Sequence, residues 1–253
     1  LKSSFKLIQG KKIIPDGSST NVNARDMEYF MKCPLKYLLN VELNEDPVPA
    51  MHKALDQTIS HSTVRLIINK IPSEESLINQ YERRLELNGP LKDIALEEGI
   101  KLVRKYHHNI VKIMDKYNLL FPSFSKTYSA YGCTIEVPIH LPIRENAPKK
   151  LKPTRYIIVD YSESTPNWNI YGRLWAALVK ISLMEEGLTS LEMGILNLKN
   201  NRINIPPMTS RSMAKDFLDN VCASFAAQLI YPSIGKHCFG CIYSRYCTDL
   251  LTT

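Results

Sequence analysis

The sequence predicts an α/β protein in which a helical segment is inserted into the core. Three observations carry that reading. Apolar residues recur at three- and four-residue intervals from Asn23 to about Tyr117; after Phe121-Pro122 the period changes to two; and a helix, a hairpin and a last helix then follow. Helices, three strands, helix, two strands and helix is an order that closes around a sheet covered by helices.

Taken in order, residues 1–22 hold two short apolar runs separated by Gly10-Lys-Lys12 and end in turn-rich sequence, which reads as a hairpin or an extended arm, either docking on a protein partner or a mobile terminus. Asn23 is the expected cap of a helix with Met27, Phe30 and Met31 on one face, stopped at Cys33-Pro34. A short helix with Leu35, Leu38 and Leu39 follows. Helices are then expected over about 50–70, 73–87 and 90–117, the last with Ile94, Val103, Tyr106, Ile110 and Met114 roughly in phase. Strands are expected over 125–131, 133–141 and 155–161, with the Pro- and Lys-rich segment 145–154 as a connection. A helix over 168–186 precedes a hairpin of 191–198 and 202–205 around Asn200-Asn201, whose tolerance of positive φ suits the turn. The last helix, 209–231, leads into a cysteine cluster. The expected organisation is an arm (1–22), a core built from 23–48 and 123–253, and a helical segment of the same domain (49–122).

The chain has 253 residues, of which 44% are hydrophobic and 23% charged, enough to bury a full core and too ordinary for a disordered or fibrous protein. The longest apolar run, 174–184, is shorter than a bilayer span and contains Lys180, so no membrane segment is expected. A net charge of +7 suits a polyanionic partner, DNA above all, while also occurring in proteins that bind nothing acidic.

The most specific feature is Lys236-His-Cys-Phe-Gly-Cys-Ile-Tyr-Ser-Arg-Tyr-Cys247, in which Cys238, Cys241 and Cys247 have the spacing C-x2-C-x5-C. A turn at Phe239-Gly240 lets these thiols converge on one centre that needs a fourth ligand. Cys33, left at a helix junction by Pro34, is the expected one. Disulfides are disfavoured: the chain is not a small domain and shows no secretory signal pattern, which points to a reducing, cytoplasmic setting. A structural Zn2+ site, with His237 beside Cys238, is an alternative. Cys133 and Cys222 read as buried small apolar residues.

One distant cysteine in Cys33-Pro-Leu-Lys-Tyr37, three clustered cysteines, and the strand Tyr156-Ile-Ile-Val-Asp-Tyr161 together resemble the RecB-like iron-sulfur nucleases of the PD-(D/E)XK superfamily, the CRISPR-associated and AddB type. The resemblance covers nearly everything from Asn23 to Cys247. It implies a PD-(D/E)XK core with a [4Fe-4S] clasp on Cys33, Cys238, Cys241 and Cys247, which such a cluster requires as four thiolates. It further implies two acids that hold Mg2+ or Mn2+, and a lysine two positions beyond the second acid, which orients the attacking water. Asp160 takes the place of the second acid, Glu136 is the available substitute for the first, and His61 resembles the histidine near the metal. Tyr171 keeps the tyrosine of a Gln-x-x-x-Tyr pattern. Ser162, however, stands at the lysine position, and the expected Gly-x-x-Asp pattern is missing between Glu136 and Asp160.

The expected function is therefore a DNA-binding or assembly protein on a nuclease scaffold with a degenerate active site, a pseudo-enzyme. A divergent metal-dependent deoxyribonuclease and a protein-interaction component without DNA binding are the alternatives. Lys149, Lys150, Lys152 and Arg155 are candidate phosphate contacts, or a solvated loop tip. Tyr243 and Tyr246 are placed to shield the cluster or to stack on bases.

Overall fold

The computed structural model of the chain describes residues 20–43, 47–146, 154–161, 170–185, 192–205 and 210–227, together with positions 235, 238, 239, 241, 243, 244 and 247. The arm lies outside the described residues except for its end, which forms strand β1 (Thr20–Asn23). Five helices follow: α1 (Ala24–Lys32), α2 (Pro34–Leu43), α3 (Pro47–Ile67), α4 (Glu74–Arg84) and α5 (Pro90–Lys116). Then come β2 (Tyr117–Leu119), β3 (Phe124–Ala130), β4 (Cys133–Ile139), β5 (Leu141–Glu145), β6 (Arg155–Asp160), α6 (Ile170–Glu185), β7 (Glu192–Asn197), β8 (Arg202–Asn204) and α7 (Arg211–Ala226). The chain is a mixed α/β protein. No helix among the described residues is long and apolar enough to cross a membrane.

The strands form two sheets. One has the order β1-β4-β3, with β1 parallel to β4; the other has the order β2-β5-β6-β7-β8, with β6 and β7 parallel and the remaining pairs antiparallel. The expected strand 133–141 is in fact a run that changes sheets: β4 ends at Ile139, and after His140, whose N–H donates to the Ile157 carbonyl at 3.2 Å, β5 begins in the second sheet. Pro138 and Pro142 flank the bend, where each removes a donor that a straight ladder would use.

Alternation along β6 decides which layer each residue meets. Tyr156 and Ile158 pack with α1, α6 and α7, in a core that includes Phe30, Trp175, Leu218 and Phe225. Ile157 and Val159 face the opposite way, into Leu55, Leu77, Tyr81 and Tyr106 of α3, α4 and α5. Helices therefore cover both faces of β6, consistent with its unbroken apolar run. Within the helical layer α4 and α5 approach closely at Gly99: a Cβ there would lie 2.0 Å from the Tyr81 hydroxyl, which itself donates to the Ala95 carbonyl at 2.7 Å.

Candidate functional site

The polar centre of the molecule lies at the carboxyl end of β6. Asp160, with no solvent exposure, ends that strand. Arg25 reaches it from the first turn of α1, a turn fixed by the Asn23 cap, whose Oδ1 accepts the backbone N–H of Arg25 at 3.0 Å and of Asp26 at 2.9 Å. The Arg25 guanidinium is held from several sides. Nη2 donates to the Val159 carbonyl at 2.9 Å, Nε to Asp56 Oδ2 at 3.2 Å, Nη1 lies 3.6 Å from Asp160 Oδ1, and Cζ sits 3.9 Å from the centre of the Tyr161 ring. One buried cation thus bridges two carboxylates from α3 and β6.

The network continues beyond Arg25. Asp56 Oδ1 accepts the Tyr161 hydroxyl and lies 3.3 Å from His140 Nε2, while His140 Nδ1 lies 3.4 Å from the hydroxyls of both Ser60 and Ser123. With Asp56 ionised, His140 Nε2–H donates to its carboxylate. Burial alone would push Asp56 up, but the charge of Arg25 and the hydrogen bonds from His140 and Tyr161 outweigh it and hold the carboxyl well below the usual range. His52, one turn before Asp56, has its ring 4.9 Å from that of Tyr161, and burial followed by the Arg25 charge pushes its pKa down to about 3, leaving a neutral imidazole. Asn197 closes the cluster: Nδ2 lies 3.4 Å from Asp160 Oδ2, while Oδ1 accepts the backbone N–H groups of Lys199 and Asn200, tying the β7–β8 turn to the site.

Of the catalytic residues expected from the sequence, Asp160 stands in this cluster. Glu136 is exposed on β4, in register with Thr127 and Asn23, and belongs to the other sheet. His61 is exposed as well and lines a surface cleft with residues of α4. Ser162 and the Tyr171 side chain lie outside the described residues. Sequence reasoning missed Arg25, His52, Asp56, His140 and Asn197. One signal was within reach: at 3.6 residues per turn His52 and Asp56 share a helix face, whereas His61, nine positions beyond His52, points to the opposite one.

The thiols form a second centre. Cys33, Leu35, Leu38, Leu39 and Tyr243 make a small buried cluster, with Cys241 and Cys247 packed against it. The Cys33 Sγ accepts the Lys36 N–H at 3.4 Å and the Cys238 Sγ the Gly235 N–H at 3.4 Å. Burial pushes the Cys247 thiol up, and the nearby Cys33, Cys241 and Cys238 sulfurs add to the shift. Four sulfurs, amide donors and an apolar wall are the donor chemistry of a four-thiolate group. Among the described residues, however, no three His, Cys, Asp or Glu side chains are arranged to hold a metal ion. Cys133 and Cys222 are buried against each other between β4 and α7, with the Cys222 thiol 4.0 Å from the Cys133 carbonyl.

Lys149, Lys150 and Lys152 lie outside the described residues. Arg155, at the start of β6, pairs with Glu192, its Nε at 3.0 Å from the carboxylate.

No protein-family model matches the chain, and no curated protein matches it. Among solved structures, a crystal structure of the protein named SSO0001 is similar at 11% identity and a TM-score of 0.41, over 97% of this chain and 93% of that one; a likeness this distant carries no argument about function.

Proposed function

We propose that the protein is a non-catalytic nucleic-acid-binding or assembly subunit built on a RecB-like nuclease scaffold. The observation that supports this reading is the Arg25 guanidinium between Asp56 and Asp160. A nuclease of the PD-(D/E)XK kind needs two acids free to hold a divalent ion. Here a side chain that stays protonated at any ordinary pH is seated over the Tyr161 ring and bonded to the Val159 carbonyl, and it compensates those acids from within. A metal ion entering the site would meet the repulsion of that cation, which cancels the pull of one of the two carboxylates.

The place of Glu136 strengthens the reading: the available substitute for the first acid is exposed on β4, in the other sheet from β6 and Asp160. With Ser162 in the lysine position, three parts of the catalytic set are altered together. In the same scaffold Cys33, Cys238, Cys241 and Cys247 would hold a [4Fe-4S] cluster, or Zn2+, as a clasp joining the start of the domain to its end. That group supplies cross-linking, not chemistry at Asp160.

The test is a cleavage assay on single- and double-stranded DNA in Mg2+ and in Mn2+, run with wild type and Asp160→Ala alongside a binding titration. Binding that weakens steeply with salt, without cleavage, is the expected result. Cleavage by wild type that disappears in Asp160→Ala would install the divergent nuclease instead. No binding at low salt would favour an interaction component.

A further inference from the structure

Helices α3 and α4 lie side by side, and on their outer surface His61 and Arg65 of α3 face Ser73, Glu75, Ser76, Asn79, Gln80 and Arg83 across a cleft of about 440 Å³. His61 and Arg65 are one turn apart, so both reach the same wall; Ser76, Asn79 or Gln80, and Arg83 follow at the same helical interval on the other. Every side chain lining the cleft is polar. Sites for small organic ligands are lined mostly by apolar and aromatic groups, so this one is unsuited to gripping a ring and suited to a charged, hydrated group.

The charge balance identifies the sign of that group. Two guanidiniums line the cleft against one carboxylate, Glu75. Glu74, the next acid, is drawn away to α5, where Arg104 Nε lies at 3.2 Å and His107 Nδ1 at 4.0 Å. Among the described residues neither Arg65 nor Arg83 forms an ion pair. The hydrogen-bonding groups of the α4 wall are pre-positioned: Ser73 Oγ accepts the Ser76 N–H at 3.2 Å, and Gln80 Nε2 lies 3.4 Å from Ser76 Oγ while its Oε1 accepts from Arg84 at 3.2 Å. Guanidinium forks on two walls match the tetrahedral oxygens of phosphate.

We propose that this cleft binds a phosphate group, supplied by the phosphodiester backbone of a nucleic-acid strand. The inference rests on the nucleic-acid reading above for the source of the phosphate, and on the cleft alone for the phosphate itself. It lies on the helical layer, away from the Arg25–Asp160 centre, and so gives a strand-binding surface that does not depend on the altered catalytic set.

Two measurements separate these parts. The first is fluorescence anisotropy of a labelled single-stranded oligonucleotide across a range of salt concentrations, with wild type, Arg65→Gln/Arg83→Gln and Glu75→Gln. Removing two phosphate contacts should lower affinity and flatten the slope of log K against log salt by about 1.4, at about 0.7 per contact for a single strand; Glu75→Gln should tighten binding. The second is the shift of the His61 ring resonances on adding inorganic phosphate, with the Arg double variant as control. An oligonucleotide that binds wild type and the double variant with equal affinity and slope overturns the cleft as its site while leaving the nucleic-acid reading intact. No binding by wild type, with a phosphate-dependent His61 shift that the double variant loses, keeps the phosphate site and overturns its nucleic-acid source. No shift and no binding removes both. Arg65 and Arg83 are exposed, so the double variant should keep the wild-type circular dichroism.

Discussion

Replacing Arg25 by methionine keeps most of the side-chain length and removes the charge that lies between Asp56 and Asp160. Lost together are the 3.2 Å pair with Asp56, the 3.6 Å contact with Asp160, the 2.9 Å bond to the Val159 carbonyl and the stacking on Tyr161. Breaking a buried ion pair from one side costs about 3–5 kcal/mol, because the remaining charge stays buried without its partner. In a domain of this size each kcal/mol lowers Tm by about 2–4 °C, so Arg25→Met should melt roughly 6–20 °C below wild type. The pair Arg25→Met/Asp160→Asn should recover part of that loss, since the second change removes the stranded charge. If Arg25 occupies the place of a metal, Mn2+ should also stabilise the single variant and not the wild type. At one hundred times its Kd a bound ion contributes about 2.7 kcal/mol. The assay is differential scanning fluorimetry of the three proteins with Mn2+ and with EDTA. A loss below about 1 kcal/mol, or equal stabilisation of wild type by Mn2+, would refute the reasoning that Arg25 neutralises the acid pair.

Three other outcomes are expected. Serine at Cys33, Cys238, Cys241 or Cys247 should abolish bound iron and acid-labile sulfide in protein prepared without air, whereas Cys133→Ser and Cys222→Ser should retain them; stoichiometric zinc without sulfide would select the zinc alternative. Stability should fall in acid, and in two stages. His52 has a folded pKa of about 3 against about 6.5 unfolded, so its contribution is complete above about pH 6.5 and is lost as pH falls toward 3, at no more than about 1.4 kcal/mol per pH unit. Asp56, also held below its unfolded value, contributes above about pH 3.9 and fades as pH falls further. Urea unfolding at several pH values between 7 and 4 should show the first stage, and His52→Gln should flatten it. Gly99→Ala should cost about 1–3 kcal/mol in the same assay, because the added methyl meets the buried Tyr81 ring and threatens its bond to Ala95.

What was legible in the sequence is what neighbouring residues decide among themselves. Asn23 caps α1 through bonds two and three positions on, and the turn at 198–201 places Asn201 at a φ of 56°, both readable from local chemistry. Strand β6 shows as an apolar run because both its faces are covered. The polar centre was less legible because its contacts are long-range: Arg25 donates to a carbonyl 134 positions away, and Asp56 meets His140 across 84. Hydrophobic pattern is also a poor guide on α3, where Val64 and Ile67 are 57% and 38% exposed while the same helix buries Thr58, Ser62 and Thr63. The serine and threonine hydroxyls are buried without penalty because each finds a carbonyl within its own helix, Ala54 for Thr58, Ile59 for Ser62 and Ser60 for Thr63, at 2.7–2.8 Å.

Polar residues can therefore line the inside of this helix while branched apolar ones line the outside, so apolar periodicity does not single out His52, whose ring meets that of Tyr161. The same logic applies to Arg25. On α1 it reads as an ordinary charged residue of an exposed first turn, next to Asp26. Its burial follows from having three acceptors and one aromatic face waiting for it, supplied by α3, by the end of β6 and by Tyr161. A buried guanidinium is tolerated only when most of its donors are used and its charge is matched. An uncharged residue at position 25 would remove the charge that lies between Asp56 and Asp160, and under the non-catalytic reading we propose, that charge stands where a metal ion would otherwise sit between the two acids.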